Sequence, residues 1–140
     1  MKKHDVKNPN AVLASRNYSM VLVRAVLRPG IQKGDHLDVE VRIPSRSETT
    51  SLRGGWLMET RLSEMAVLGG ALRSGHDTAV AQGAILIDPS ADVETNPALM
   101  VQGRVLTGGV ATKSRQLGLI LDHSHQSIRL SQMVAKAVSE

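Results

Sequence analysis

The sequence has no cysteine and no phenylalanine, and only one tryptophan and one tyrosine among 140 residues. Without cysteine there is no disulfide framework, no thiolate nucleophile and no thiolate metal ligand. With so few aromatics, the core must be assembled from Val, Leu, Ile, Ala and Met. The flat anchors on which ligand pockets, base-stacking platforms and interface hot spots depend are scarce. No apolar run reaches the roughly eighteen residues needed to span a bilayer, so membrane insertion is not expected. The opening stretch, Met1 to Asn10, is polar and contains no apolar segment of a signal peptide. Catalytic signatures are missing too: there is no G-x-S-x-G elbow, no phosphate loop ending in Gly-Lys-Ser/Thr, and no G-x-G-x-x-G opening a helix.

What is present fits one domain of ordinary size. Seventeen Lys and Arg against thirteen Asp and Glu give a net charge of +4. Much of the excess lies early, at Lys2, Lys3, Lys7, Arg16, Arg24, Arg28 and Lys33. A basic face suits nucleic acid, an anionic membrane surface, an acidic polymer or an acidic protein. Nucleic acid is disfavoured because no aromatics interleave with the basic residues and no helix-turn-helix or zinc-finger spacing occurs.

Residues 1–16 are polar and contain Pro9, and read as a flexible lead-in to a single domain over residues 17–140. Tyr18 to Leu27 is aliphatic and β-branched and stops at Pro29-Gly30, which predicts a strand and a turn. His36 to Ile43 alternates Leu37, Val39, Val41 and Ile43 with polar residues, the period of a strand with one wet face. Trp56 to Leu62 and Thr78 to Ile87 read as further strands around a hairpin-like region marked by Gly69-Gly70 and Gly75. Gly83 inside the second of these predicts a bulge or the close approach of another backbone. Asp88 to Pro97 is acidic and turn-forming, an exposed excursion. Two more strands are expected near Met100 to Leu106 and Leu117 to Leu121, separated by Gly108-Gly109. From Ser127 the period changes: Leu130, Met133, Val134, Ala137 and Val138 fall on one helical stripe, with Ser124 as the expected N-cap. Strands followed by a helix predict an α+β domain, a mainly antiparallel or mixed sheet covered by a C-terminal helix.

No reaction site emerges from these residues. His123 and His125 are the one metal-like pair, but a metal site needs three or four converging ligands, and the sequence supplies no obvious third. His76-Asp77 reads as part of a Gly-flanked turn. The acids Asp35, Asp38, Glu40 and Glu59 are scattered over strands and turns and define no catalytic pair. The paired glycines at 54–55, 69–70 and 108–109 read as tight turns. Expected catalytic, cofactor-binding and metal-binding residues are therefore none, with metal-dependent chemistry at His123 and His125 as the reading to be tested against.

Three stretches in order resemble the flagellar P-ring protein family. The first is VLVRAVLRPGIQKGDHLDVEVRIPSRSETTSLRGG, residues 21–55, a strand, a Pro-Gly turn, an alternating strand and a Ser-Leu-Arg-Gly-Gly element. The second is AVAQGAILI, residues 79–87. The third runs from Gly108-Gly109 to the small-residue helix SQMVAKAV, residues 131–138. The resemblance implies a structural subunit of the flagellar basal body, without enzymatic activity or cofactor. It also implies a periplasmic location at the peptidoglycan layer, and self-association into a ring that surrounds the rod as a passive bushing beside the rod and L-ring proteins. A closed ring needs head-to-tail contacts. The candidate contact residues are Leu52, Arg53, Gly54 and Gly55, where paired glycines permit close approach and Arg53 can reach an acidic neighbour. The alternative functional reading is a periplasmic binding module that holds an anionic cell-wall polymer through the basic N-terminal half.

Overall fold

The computed structural model describes residues 8–13 and 15–139. Residues 1–7 and 14 of the expected lead-in lie outside the described residues, and with them Lys2, Lys3 and Lys7 of the basic front. Within the lead-in, Pro9–Leu13 forms a short helix, α1, where the Asn8 side chain accepts a hydrogen bond from the Ala11 amide at 3.3 Å.

Five strands form one sheet: β1 (Leu22–Ala25), β2 (His36–Arg42), β3 (Trp56–Leu68), β4 (Ala71–Ala84) and β5 (Gln102–Ala111). Their order is β1-β2-β5-β4-β3 and every pairing is antiparallel. With a helix, α3 (Ile128–Ser139), at the C-terminal end, the chain is α+β, as the change of period predicts. A short helix, α2 (Pro97–Met100), leads into β5. The two edge strands β1 and β3 come into contact, so the sheet curls around its own buried face.

That face is built as the alternation requires. Leu37, Val39 and Val41 of β2 are buried, and His36, Asp38 and Arg42 point outward. Ala79 and Ala81 of β4, Val105 and Ala111 of β5, Leu57, Ile85, Ile31, Ile43 and Leu52 complete the core. The largest fully buried side chains are only Val39 and Val41. Burying an aliphatic side chain of this size contributes roughly 1.5–3 kcal/mol, so a core of small residues must compensate by close packing. Gly83 takes φ +142°, and a Cβ there would stand 2.8 Å from the Val105 side chain; the β3–β4 register slips beside it, between Leu57 and Thr60, which is the bulge expected there.

Four expectations change. The pairing of β1 covers Leu22–Ala25 rather than 18–27, although Val21, Val23, Ala25 and Leu27 alternate as half-buried residues across the longer span. Gly108-Gly109 does not separate two strands; β5 runs through it. Against β2 the register slips between Leu37 and Val39, so that Leu106, Thr107 and Gly108 bulge opposite Asp38. Thr107 takes φ 52° there, and its amide donates to Asp38 Oδ1 at 2.8 Å. Residues 117–121 form no strand and are mostly exposed.

The third change is at the hairpin. β3 and β4 extend beyond the expected strands by pairing Ser63–Leu68 with Ala71–Asp77, and His76-Asp77 lies within β4 rather than in a turn. Gly69 and Gly70, at φ 60° and 77°, make the two-residue connection whose positive φ values match the strand twist. The fourth concerns α3. Ser124 lies in a 3₁₀ turn, His123–His125, and the cap is Ser127, whose Oγ accepts from the Leu130 amide at 3.1 Å. No residue of α3 is buried. The helix lies beside the exposed 117–121 segment and, together with it, lines an open groove.

Candidate subunit interface

Leu52 to Gly55 forms one tight turn leading into β3. The Gly55 amide donates to the Leu52 carbonyl at 2.9 Å, and Gly54 sits at φ +69°, a conformation that an L side chain reaches only with strain. A Cβ on Gly55 would stand 2.9 Å from the Leu52 oxygen, so both glycines are required by the turn itself. The Leu52 side chain is buried in the core, and its amide donates to the Met100 carbonyl at 2.8 Å. Gly55 accepts from the Ile85 amide at 2.9 Å. Arg53 is exposed and sends Nη2 to the Ala91 carbonyl at 3.0 Å, which ties the turn to the 88–97 excursion. Of the four residues nominated from the sequence, Arg53 and Gly54 present the outward surface; Leu52 and much of Gly55 face inward.

The titratable residues singled out from the sequence do not gather. His123 and His125 flank a 3₁₀ turn, where the His123 amide is capped by Asp122 Oδ1 at 2.7 Å and His125 Nδ1 lies 2.8 Å from Ser124 Oγ. Asp77 accepts from Ser63 Oγ at 2.5 Å and lies 3.9 Å from Arg61. His36 Nδ1 bonds the Thr107 carbonyl at 2.9 Å, and Asp35 accepts from the Gln32 amide at 2.8 Å. Asp35, His36, Asp77 and His125 are each occupied in local structure, and at His123 it is the backbone amide that is held. Among the described residues, no three His, Asp or Glu side chains are grouped so as to hold a metal ion.

The outer face of the curled sheet carries one organised row of charge. Arg24, Glu40 and Arg104 are register partners on β1, β2 and β5. Arg24 Nη2 is 2.7 Å from Glu40 Oε2, and Arg104 Nη2 is 3.7 Å from Glu40 Oε1. The hydrogen bond from Arg24, then its charge and that of Arg104, hold the Glu40 carboxyl below the usual range. At such exposure this row orders side chains across three strands and adds little stability.

Sequence reasoning missed two surfaces. The distal half of the β3–β4 hairpin, residues 63–77, is exposed on both faces apart from a half-buried Asp77, and carries Met65, Val67, Leu68 and Leu72 into solvent. The groove beside α3 is lined by Leu117, Leu119, Ile120, Ile128, Val134 and Val138. The signal for the first was the aliphatic run Met65 to Leu72 broken only by Gly69-Gly70. An aliphatic run reads equally well as core when no partner is known.

A family model described as flagellar P-ring protein matches residues 1–138. A flagellar P-ring protein of Sinorhizobium medicae (strain WSM419) is 37% identical over 100 residues, covering 69% of this chain and 24% of that relative. No solved structure matches the chain significantly. The chain belongs to the flagellar P-ring protein family, structural proteins of the flagellar basal body. It spans about a quarter of the length of the relative it matches.

Proposed function

We propose that the chain, with residues 17–140 acting as one unit, is part of a structural subunit of the flagellar P-ring, and that copies of that subunit associate head to tail into a closed ring around the rod. In this reading the ring stands in the periplasm at the peptidoglycan layer, beside the rod and L-ring proteins, as a bushing that performs no reaction. The observation that carries it is the family match over residues 1–138. The geometry is compatible with a passive role, in which Asp35, His36, Asp38, Glu40, Asp77 and His125 serve turns, ladder contacts and neighbouring side chains. Among the described residues no helix is long and apolar enough to cross a membrane. The Leu52–Gly55 turn is the proposed contact nominated from the sequence, acting through Arg53: its guanidinium is exposed and held by a single carbonyl, which leaves other donors for an acidic partner.

Electron microscopy of the full-length protein carrying this chain tests the reading. Closed annuli are expected, and periplasmic fractions of flagellated cells should contain them. A full-length protein that stays monomeric at all concentrations, with motility unaffected by its deletion, refutes it.

A further inference from the structure

Backbone strain in the sheet falls on one residue. Among the described residues Thr107 is the non-glycine residue with a positive φ, 52°. For a β-branched side chain that region is an outlier, and it persists only where the surroundings impose it. Thr107 lies in the bulge opposite Asp38, where Leu37 pairs with Gly109 and Val39 with Val105. The glycines that follow it answer a different need. A Cβ on Gly108 would stand 2.6 Å from the Gln82 carbonyl oxygen, and one on Gly109 2.8 Å from Leu37 Cδ1. Both are required by packing, while the left-handed position itself carries threonine.

Two side chains of β2 hold this conformation. The Thr107 amide donates to Asp38 Oδ1 at 2.8 Å. The Thr107 carbonyl lies 2.9 Å from His36 Nδ1; a carbonyl only accepts, so Nδ1 carries the proton and donates. His36 and Asp38 stand two residues apart on the outward face of β2, the spacing that points both side chains the same way. They grip one residue from its two ends, and the carboxylate holds its amide more strongly than a neutral acceptor would. His36, Asp38 and Thr107 are all exposed, so either bond can open without unpacking the core.

We propose that Thr107 is a latch: a strained bulge closed by His36 and Asp38, which moves to a relaxed backbone conformation when either grip is lost, with the rest of the sheet intact. The closed latch stores the strain of the left-handed threonine, and opening releases it. The bulge forms part of the wall of an open cleft of about 670 Å³ that Arg24, Arg28, Asp35 and Arg104 also line. Opening reshapes this wall. The adjoining ladder keeps its register, because Glu40 is held there by Arg24 and Arg104. The inference is independent of the ring reading, since it concerns a bond pattern within one chain.

A double-variant cycle separates a latch from a fixed bulge. In the native sequence the loss caused by Asp38→Ala is offset by the strain that Thr107 gives up on relaxing. With Thr107→Gly there is no such strain to give up. Asp38→Ala is therefore expected to lower the urea midpoint more in the Thr107→Gly background than in the native one; the glycine's own entropic cost cancels in the cycle. In Asp38→Ala and in His36→Ala, the carbon NMR shifts of Thr107 should leave the left-handed range while those of Val39 and Val105 stay in place. Equal midpoint losses in the two backgrounds, or Thr107 shifts that remain left-handed in both single variants, would mean that glycine packing alone fixes the bulge, and would overturn the latch. If Asp38→Ala does not fold, His36→Ala taken through the same cycle decides by the same criteria.

Discussion

Leu37 and Gly109 face each other across the β2–β5 ladder, and the leucine fills the space a side chain on the glycine would need: a Cβ there would stand 2.8 Å from Leu37 Cδ1 and 2.9 Å from Val39 Cγ2. Gly109→Ala is expected to destabilise the fold by roughly 1–3 kcal/mol through overpacking. Because the colliding atoms are side chains, Leu37→Ala should relieve the leucine's share of the clash, with Val39 Cγ2 still in place, and the double variant should lose less than the sum of the two single losses. Gly118→Ala, where a Cβ meets nothing within 4 Å, should change stability by less than about 0.5 kcal/mol. Urea unfolding followed by circular dichroism provides all four values. Strict additivity of Leu37→Ala and Gly109→Ala would show that the pair is not packed as described.

The Arg24–Glu40 contact predicts one component of the acid limb of stability. The carboxyl is held below its ordinary value by Arg24 first and Arg104 second. A carboxyl with a depressed folded-state pKa contributes stability above its unfolded value, about 4.3, and loses it as pH falls through the lower folded value. Glu40→Gln should therefore flatten the decline of stability below about pH 4.3 and leave its slope near neutrality unchanged. The effect is small, since both side chains are exposed, and it should shrink further in high salt. Thermal melts of both proteins across the acid range are the measurement; an unaltered acid limb means the pair is not formed in solution.

The hairpin should open locally while the sheet centre stays closed. Amides of Ala79 to Ala81 belong to a strand paired on both sides, whereas Met65 to Leu72 belong to a ribbon with open edges. Hydrogen exchange should proceed faster by several orders of magnitude in the ribbon than at the centre, because opening it exposes little core. Gly69→Asn keeps a residue that tolerates positive φ and should leave this pattern intact. Gly69→Val, forced to φ near 60°, should raise exchange across the whole ribbon without moving the global unfolding midpoint far.

Strand and helix types were legible where one face is buried, and obscure where neither is. The alternation of His36 to Ile43 survives unchanged because Leu37, Val39 and Val41 all meet the core. Residues 63–77 carry no such alternation, since both faces of the ribbon meet solvent, and so the hairpin was read short. Gly108-Gly109 read as a turn because glycine pairs usually punctuate strands; here they permit a bulge and the approach of Leu37. Leu117 to Leu121 looked like a strand by composition alone and has no partner in the sheet. At the candidate interface, Gly54 and Gly55 were legible as a turn, while the burial of Leu52 and the bond from Arg53 to Ala91 depend on segments far away in sequence.

The position of the helix cap separates two serines three residues apart. Ser127 Oγ accepts from the Leu130 amide at 3.1 Å, and its carbonyl accepts from Ser131 Oγ at 2.8 Å, whereas Ser124 serves the preceding 3₁₀ turn through Asp122. A helix of this length is marginal in water without packing, and α3 buries none of its residues, so the cap carries an unusual share of its stability. Ser127→Ala should cost about 1 kcal/mol of local stability, seen as lost helical circular dichroism and faster exchange at Leu130. Ser124→Ala should leave both signals in place. Equal losses from the two substitutions would mean that α3 begins a turn earlier. Its apolar face, Ile128, Val134 and Val138, would then be wound differently against residues 117–121.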